Sequence, residues 1–138
     1  MIIEYLDAKA GGGKLIPAPG AARFETLTRA ALMDGIMDAA ILVVYEGRFR
    51  PADKYVESFV TYQREKIQRG LEVIAASAPH YRNGAMPDAG EIALACGLDY
   101  LDFRQQLNWR DHAANLQTWL ADFAAAVPGY TETLPPKS

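Results

Sequence analysis

Four groups of residues carry side chains whose types and spacing could do chemistry. The run GGGK at positions 11–14 has the composition of a loop that wraps backbone N–H groups around a phosphate. The Walker arrangement requires Ser or Thr after the Lys and a Gly five residues before the last Gly. Leu15 and Ala8 occupy those positions, so the run reads as a linker. Asp34 and Asp38 lie one helical turn apart, a spacing at which two carboxylates can share acid and base work. The same spacing describes a solvated strip, or one that meets an Arg from a neighbouring helix. Cys96, the sole cysteine, stands in the middle of an apolar segment. There it reads as a small core residue whose burial raises its thiol pKa and makes it a poor nucleophile. His80 and His112 stand in separate loop segments with no Cys or carboxylate at metal-ligand spacing, so both read as solvated histidines. No residue is assigned a catalytic, cofactor-binding or metal-binding role.

The background against which these residues stand is ordinary. A chain of 138 residues, half of them apolar, 22% charged and with a net charge of −3, has the composition of a globular protein. Its length suffices to bury a core without a metal or disulfide staple. A mildly acidic chain is a poor match for nucleic acid. No apolar run reaches the length of a membrane span, and the start, with Glu4 and Asp7, lacks the basic and apolar regions of a signal peptide. One cysteine suits a reducing compartment. The expected location is cytoplasmic, with neither membrane nor nucleic acid as partner.

The elements that must position these residues are helices. Ile2, Ile3 and Leu6 recur at helical spacing with Glu4 and Asp7 on another face, so a helix is under way at the start, without a capping residue. Three glycines followed by Pro17, Pro19 and Gly20 make residues 9–20 a flexible linker. A long helix spans residues 21–46, with Leu32, Ile36, Ala39 and Val43 in one apolar stripe and Met33, Met37, Ala40 and Val44 in a second. After a turn at residues 48–51, a third helix covers residues 52–78. Gln63 sits inside its apolar stripe, and Arg64, Glu65, Lys66 and Arg69 form its solvated face. A loop at residues 79–87 leads to a helix opened by a capping box of Asp88 and Glu91. Small residues and scarce charge make this the central helix of a bundle. A last helix covers residues 113–127, stopped by Pro128 and Gly129, and a tail through Pro135 and Pro136 is extended. The fold class is all-α, a bundle of about four main helices.

The segment MPDAGEIALACGLDYLDFR, followed by NWRDHAANLQTWLADF, resembles the C-terminal helical domain of cytosolic glutathione S-transferases, the bacterial members especially. In that family a Pro, a capping residue and then Gly-Asp-Ile-Ala open the central helix. Pro87, Asp88, Gly90, Glu91, Ile92 and Ala93 follow the pattern, with Asp88 for the usual Ser or Thr and Glu91 for the usual Asp. ALMDGIMDAA, YQREKIQRGLE, LIP and IIEYLD fall in the family order as well.

The resemblance implies a division of the chain. Residues 1–8 are then the tail of the last helix of a thioredoxin-like domain that the chain lacks, residues 9–20 the linker, and residues 21–138 the helical domain. It further implies that glutathione, the family's co-substrate, is activated and held by residues of the missing domain, so that this truncated chain alone is inactive. A helix apolar on two stripes needs two partners. Either one stripe packs into the bundle while the other faces a hydrophobic electrophile, a second domain or a second subunit, so that a homodimer or larger species is expected, or both stripes are core. The substrate-pocket or interface candidates are Met33, Asp34, Met37 and Tyr45, with Met33 and Met37 left wet in the isolated chain. The alternative is a stand-alone, non-enzymatic module that binds a protein or holds a ligand.

Overall fold

The computed structural model describes residues 2–79 and 86–134, so His80, most of the loop at 79–87 and the tail with Pro135 and Pro136 lie outside the described residues. Among the described residues six α-helices follow one another: α1 (Ile2–Lys9), α2 (Ala21–Phe49), α3 (Glu57–Ala76), α4 (Ala89–Arg104), α5 (Asn115–Ala126) and α6 (Pro128–Glu132). Short 3₁₀ turns at Ala52–Lys54 and Trp109–Asp111 complete the described residues, among which there is no strand.

The core forms where α2 packs on α4 and on α3. Met33, Ile36, Ala39 and Ala40 from α2 meet Leu94, Ala95, Leu98 and Leu101 from α4, and Ile67, Leu71 and Ile74 from α3. Trp109, Leu116, Trp119 and Phe123 close one end. Glycine permits the closest approaches. A Cβ on Gly97 of α4 would lie 2.5 Å from Met33, one on Gly70 of α3 would lie 2.7 Å from Ile36, and one on Gly90 would lie 2.7 Å from the backbone oxygen of Thr26.

The start of α4 is built from three directions. Asp88 Oδ1 accepts the N–H of Glu91 at 2.8 Å, and Glu91 Oε2 accepts the N–H of Asp88 at 2.9 Å, which completes the capping box. Thr26 Oγ1 of α2 donates to the other Asp88 oxygen at 2.8 Å. Leu15, in the segment before α2, accepts the N–H of Ala89 at 2.8 Å. These bonds satisfy donors that a helix start otherwise leaves unpaired.

Several boundaries differ from those read in the sequence, and tertiary bonds explain them. Helix α2 runs to Phe49 rather than 46. Arg50 is then extended, as the residue before a proline prefers. Helix α3 begins at Glu57 instead of 52, because the N–H of Val56 is held by the Glu46 carboxylate at 2.9 Å and the chain stays extended there. Pro128 stops α5 and also serves as the first residue of α6, where its missing N–H costs nothing. Asp7, on another face from Ile2, Ile3 and Leu6 in the sequence reading, is buried at 5% exposure, and the linker is not loose: Asp7 accepts the N–H groups of Gly13, Lys14 and Leu15 at 2.8–3.0 Å.

Candidate functional site

Of the two readings of α2, the structure favours the one in which both stripes contribute to the core, and it corrects the expectation of a wet Met33. Met33 is fully buried against Gly97, so it is core and not a wet surface. Met37 is half-buried, and Asp34 and Asp38 are exposed. Because α2 is gripped by α3 on one side and by α4 on the other, members of both stripes serve the same core: Ile36, Ala39 and Val43 from one, Met33 and Ala40 from the other. Apolar side chains stay open on this helix at Phe24 near its start and, as a group, at its C-terminal end, where Leu42, Tyr45 and Phe49 are exposed.

There the helix borders a cleft of about 400 Å³ lined by Leu42, Tyr45, Phe49, Pro51 and Phe59, with Glu46, Arg50 and Lys54 as its charged members. Tyr45 and Phe49, four residues apart on one helix face, hold their rings 5.1 Å apart at a 60° tilt. Arg48 lies over the Phe49 ring at 5.3 Å. Glu46 is 4% exposed and pairs with Arg50 at 2.6 Å. Burial alone would raise its carboxyl, but the hydrogen bonds from Arg50 and from the Val56 amide outweigh it, and the net result lies below the ordinary carboxylate value. Glu46 is therefore ionised and fixes the wall of the cleft. An aromatic floor with Lys54 at the rim, Arg50 being paired with Glu46, suits an apolar molecule that carries an electron-rich or anionic substituent. Of the residues singled out in the sequence, Tyr45 alone lies in this cleft. Glu46, Phe49, Arg50 and Phe59 were missed, although the i,i+4 spacing of Glu46 with Arg50 and of Tyr45 with Phe49 was a usable signal.

The remaining candidates are dispersed. Cys96 is exposed, contrary to the core reading, because its side of α4 faces away from α2. Its thiol is nevertheless pushed up, first by partial desolvation and then by the Asp99 carboxylate one turn on. Asp99 accepts a hydrogen bond from Tyr130 of α6. Its carboxyl is raised by burial, partly offset by that bond. Asp102 is held by both terminal nitrogens of Arg110 at 2.7 and 2.9 Å. His112 follows the second 3₁₀ turn, half-buried, with Nδ1 4.0 Å from Glu72 of α3. Among the described residues no three potential ligands gather as a metal site.

No family model matches the chain. Solved structures do. A glutathione transferase family member from Pseudomonas fluorescens, with bound S-(propanoic acid)-glutathione, is 41% identical; the alignment covers 99% of this chain and 68% of that one, with a TM-score of 0.84. The chain belongs to the glutathione transferase family. A second transferase structure, from Methylobacillus flagellatus with glutathione bound, is 31% identical over 99% of this chain and 68% of its own, with a TM-score of 0.85. An uncharacterised GST-like protein of Escherichia coli, YibF, is 32% identical over 109 residues, which is 76% of this chain and 52% of that protein. The chain thus spans about half the length of the curated relative it matches. Its fold is the all-α bundle of the transferase C-terminal domain, in which α4 packs along α2 and buries one side in the core. No described helix is long and apolar enough to cross a membrane.

Proposed function

We propose that this chain is the electrophile-holding helical half of a glutathione transferase, and that the cleft at the end of α2 receives part of the electrophile. The observation that carries the reading is the aromatic cleft of Tyr45, Phe49 and Phe59 with Arg50 and Lys54 at its edge, in a chain aligned over nearly its full length with transferases that hold glutathione. The family reaction is attack of the glutathione thiolate on an electrophilic carbon: a sulfur–carbon bond forms and the displaced pair leaves with the leaving group or is protonated. This chain would contribute the apolar surface that orients the acceptor and excludes water. Tyr45 and Phe49 would stack on it, while Lys54 at the edge would attract an anionic or electron-rich substituent and Arg50, paired with Glu46, would hold the wall. Activation of the thiol would fall to the thioredoxin-like part of the family architecture, to which α1 would belong. Residues 9–20 would then be the connection between the two parts and residues 21–138 the helical domain. The protein would act in the cytoplasm as a dimer or larger assembly.

Titration calorimetry of this chain with glutathione and a spectrophotometric assay with a chromogenic electrophile test the proposal. The expected results are no affinity tighter than about millimolar, around −4 kcal/mol, and no conjugation by the chain alone. Quenching of tryptophan or tyrosine fluorescence by an apolar electrophile should weaken in Tyr45→Ala. Conjugation by the unaided chain, or quenching indifferent to Tyr45 and Phe49, would contradict it.

A further inference from the structure

The glycine loop that failed as a phosphate site is an anion cradle all the same, and its anion is internal. Gly11, Gly12 and Gly13 take φ values of 101°, 71° and 74°, a left-handed run open to glycine at little cost. That run turns the N–H groups of Gly13, Lys14 and Leu15 onto the two oxygens of Asp7, at 3.0, 3.0 and 2.8 Å. Asp7 sits in the last turn of α1, where a carboxylate opposes the helix dipole, so its presence there needs a compensating interaction. Three amide donors supply it.

The cradle matters because little else joins α1 to the bundle. Ile2, Ile3, Tyr5 and Leu6 are all exposed, and among the described residues α1 makes no extensive packing contact with another helix. Among the described residues a further tie is the ion pair of Glu4 with Arg23 of α2, both partly exposed, which contributes little by itself. The loop, in contrast, is anchored. Ile16 is buried, and the Leu15 carbonyl accepts the N–H of Ala89, the first residue of α4. One carboxylate therefore connects α1, the loop and the start of α4.

We propose that Asp7 is the positioning residue that sets the angle of α1 against the bundle, its carboxylate serving as the resident anion of the glycine loop and holding, through that loop, the first turn of α4. The consequence for catalysis rests on the transferase reading above: if α1 belongs to the half that holds glutathione, Asp7 sets the sulfur relative to the electrophile cleft. The clasp itself does not depend on that reading.

The test uses the full 138-residue chain, with residual dipolar couplings and amide exchange measured by NMR. In the native chain α1 and the bundle should share one alignment frame. In Asp7→Asn, which keeps the shape and removes the charge, the couplings of α1 should shrink. Exchange at Gly13, Lys14, Leu15 and Ala89 should rise about tenfold or more, as expected for loss of charge-assisted hydrogen bonds. Exchange at Ile67 and Leu71 should stay unchanged. Asp7→Ala should behave alike and recover with added formate, which replaces the missing carboxylate, but not with chloride at equal ionic strength. Unchanged α1 couplings in Asp7→Asn would overturn the proposal, as would failure of formate to restore Asp7→Ala. Loss of protection at Ile67 in both variants would overturn it too, because a residue that only orients α1 leaves the bundle folded. None of these readouts depends on conjugating activity, so failure of the transferase reading would leave them as they are.

Discussion

Asp88 concentrates more roles than any other side chain at the start of α4. Its carboxylate caps Glu91, accepts from Thr26 and lies 3.8 Å from Arg29. Replacement by Ala should cost about 1 kcal/mol for the cap alone, and somewhat more because Thr26, 1% exposed, loses its acceptor. Urea denaturation of Asp88→Ala and Thr26→Val, singly and together, should give a non-additive pair. Tyr130 offers a pH-dependent counterpart. Desolvation first, and then the hydrogen bond to Asp99, raises its phenol well above the ordinary tyrosine value. A folded pKa above the unfolded one means that the native state holds its proton longer. The stabilisation is complete below about pH 10 and declines as pH rises from there toward the folded pKa. Below the pH of alkaline unfolding, ultraviolet titration should show as many tyrosines ionising in the native protein as in Tyr130→Phe, and one fewer than the native protein ionises once unfolded. The alkaline loss of stability should be smaller in that variant.

Helices in this bundle approach one another through glycine, and the cost of adding a methyl group depends on what it meets. At Gly97 the obstacle is Met33, which can shift its chain in part, so Gly97→Ala should cost about 1–3 kcal/mol, typical of overpacking. At Gly90 the obstacle is the backbone oxygen of Thr26, which moves only if α2 moves. Gly90→Ala should therefore be the more destabilising of the two by chemical denaturation. Along α4 burial ranks the side chains: Leu94 is fully buried and Ile92 only in part. Leu94→Ala should cost about 2–5 kcal/mol and Ile92→Ala less. Helices α1 to α5 and their order were legible in periodicity and the capping box in Asp88 and Glu91, whereas Pro128 and Gly129 were read only as a stop and not as the start of α6. The end of α2 and the start of α3 were not, because a buried Glu46 takes the amide of Val56 across the turn, a bond between residues ten apart whose partners no local pattern names.

At the scale of the molecule, exposed apolar surface is what remains to be covered. Ile2, Ile3, Tyr5 and Leu6 form one such surface on α1, and Leu42, Tyr45 and Phe49 another at the end of α2. Apolar patches of several hundred Å² drive association. Sedimentation velocity of the chain should show dimers or larger species, and Ile3→Ser with Leu6→Ser should shift the distribution toward monomer. The sequence pointed to association from the Met33 and Met37 stripe, and that argument fails since Met33 is enclosed. The argument passes to residues farther along the same helix and to α1.

By itself, the sequence determined the all-helical class, the order of α1 to α5 and the cap of α4, because these depend on residue types at short, fixed spacings along the chain, and the order of its segments carried the resemblance to the family. Only the tertiary structure decided which face of α2 is core, that Cys96 is exposed, that Glu46 with Arg50 walls a cleft, and that Asp7 fills the glycine loop. Each of those depends on which distant segment covers a side chain, and α2 is covered by two helices at once, a geometry that a single helical wheel does not contain.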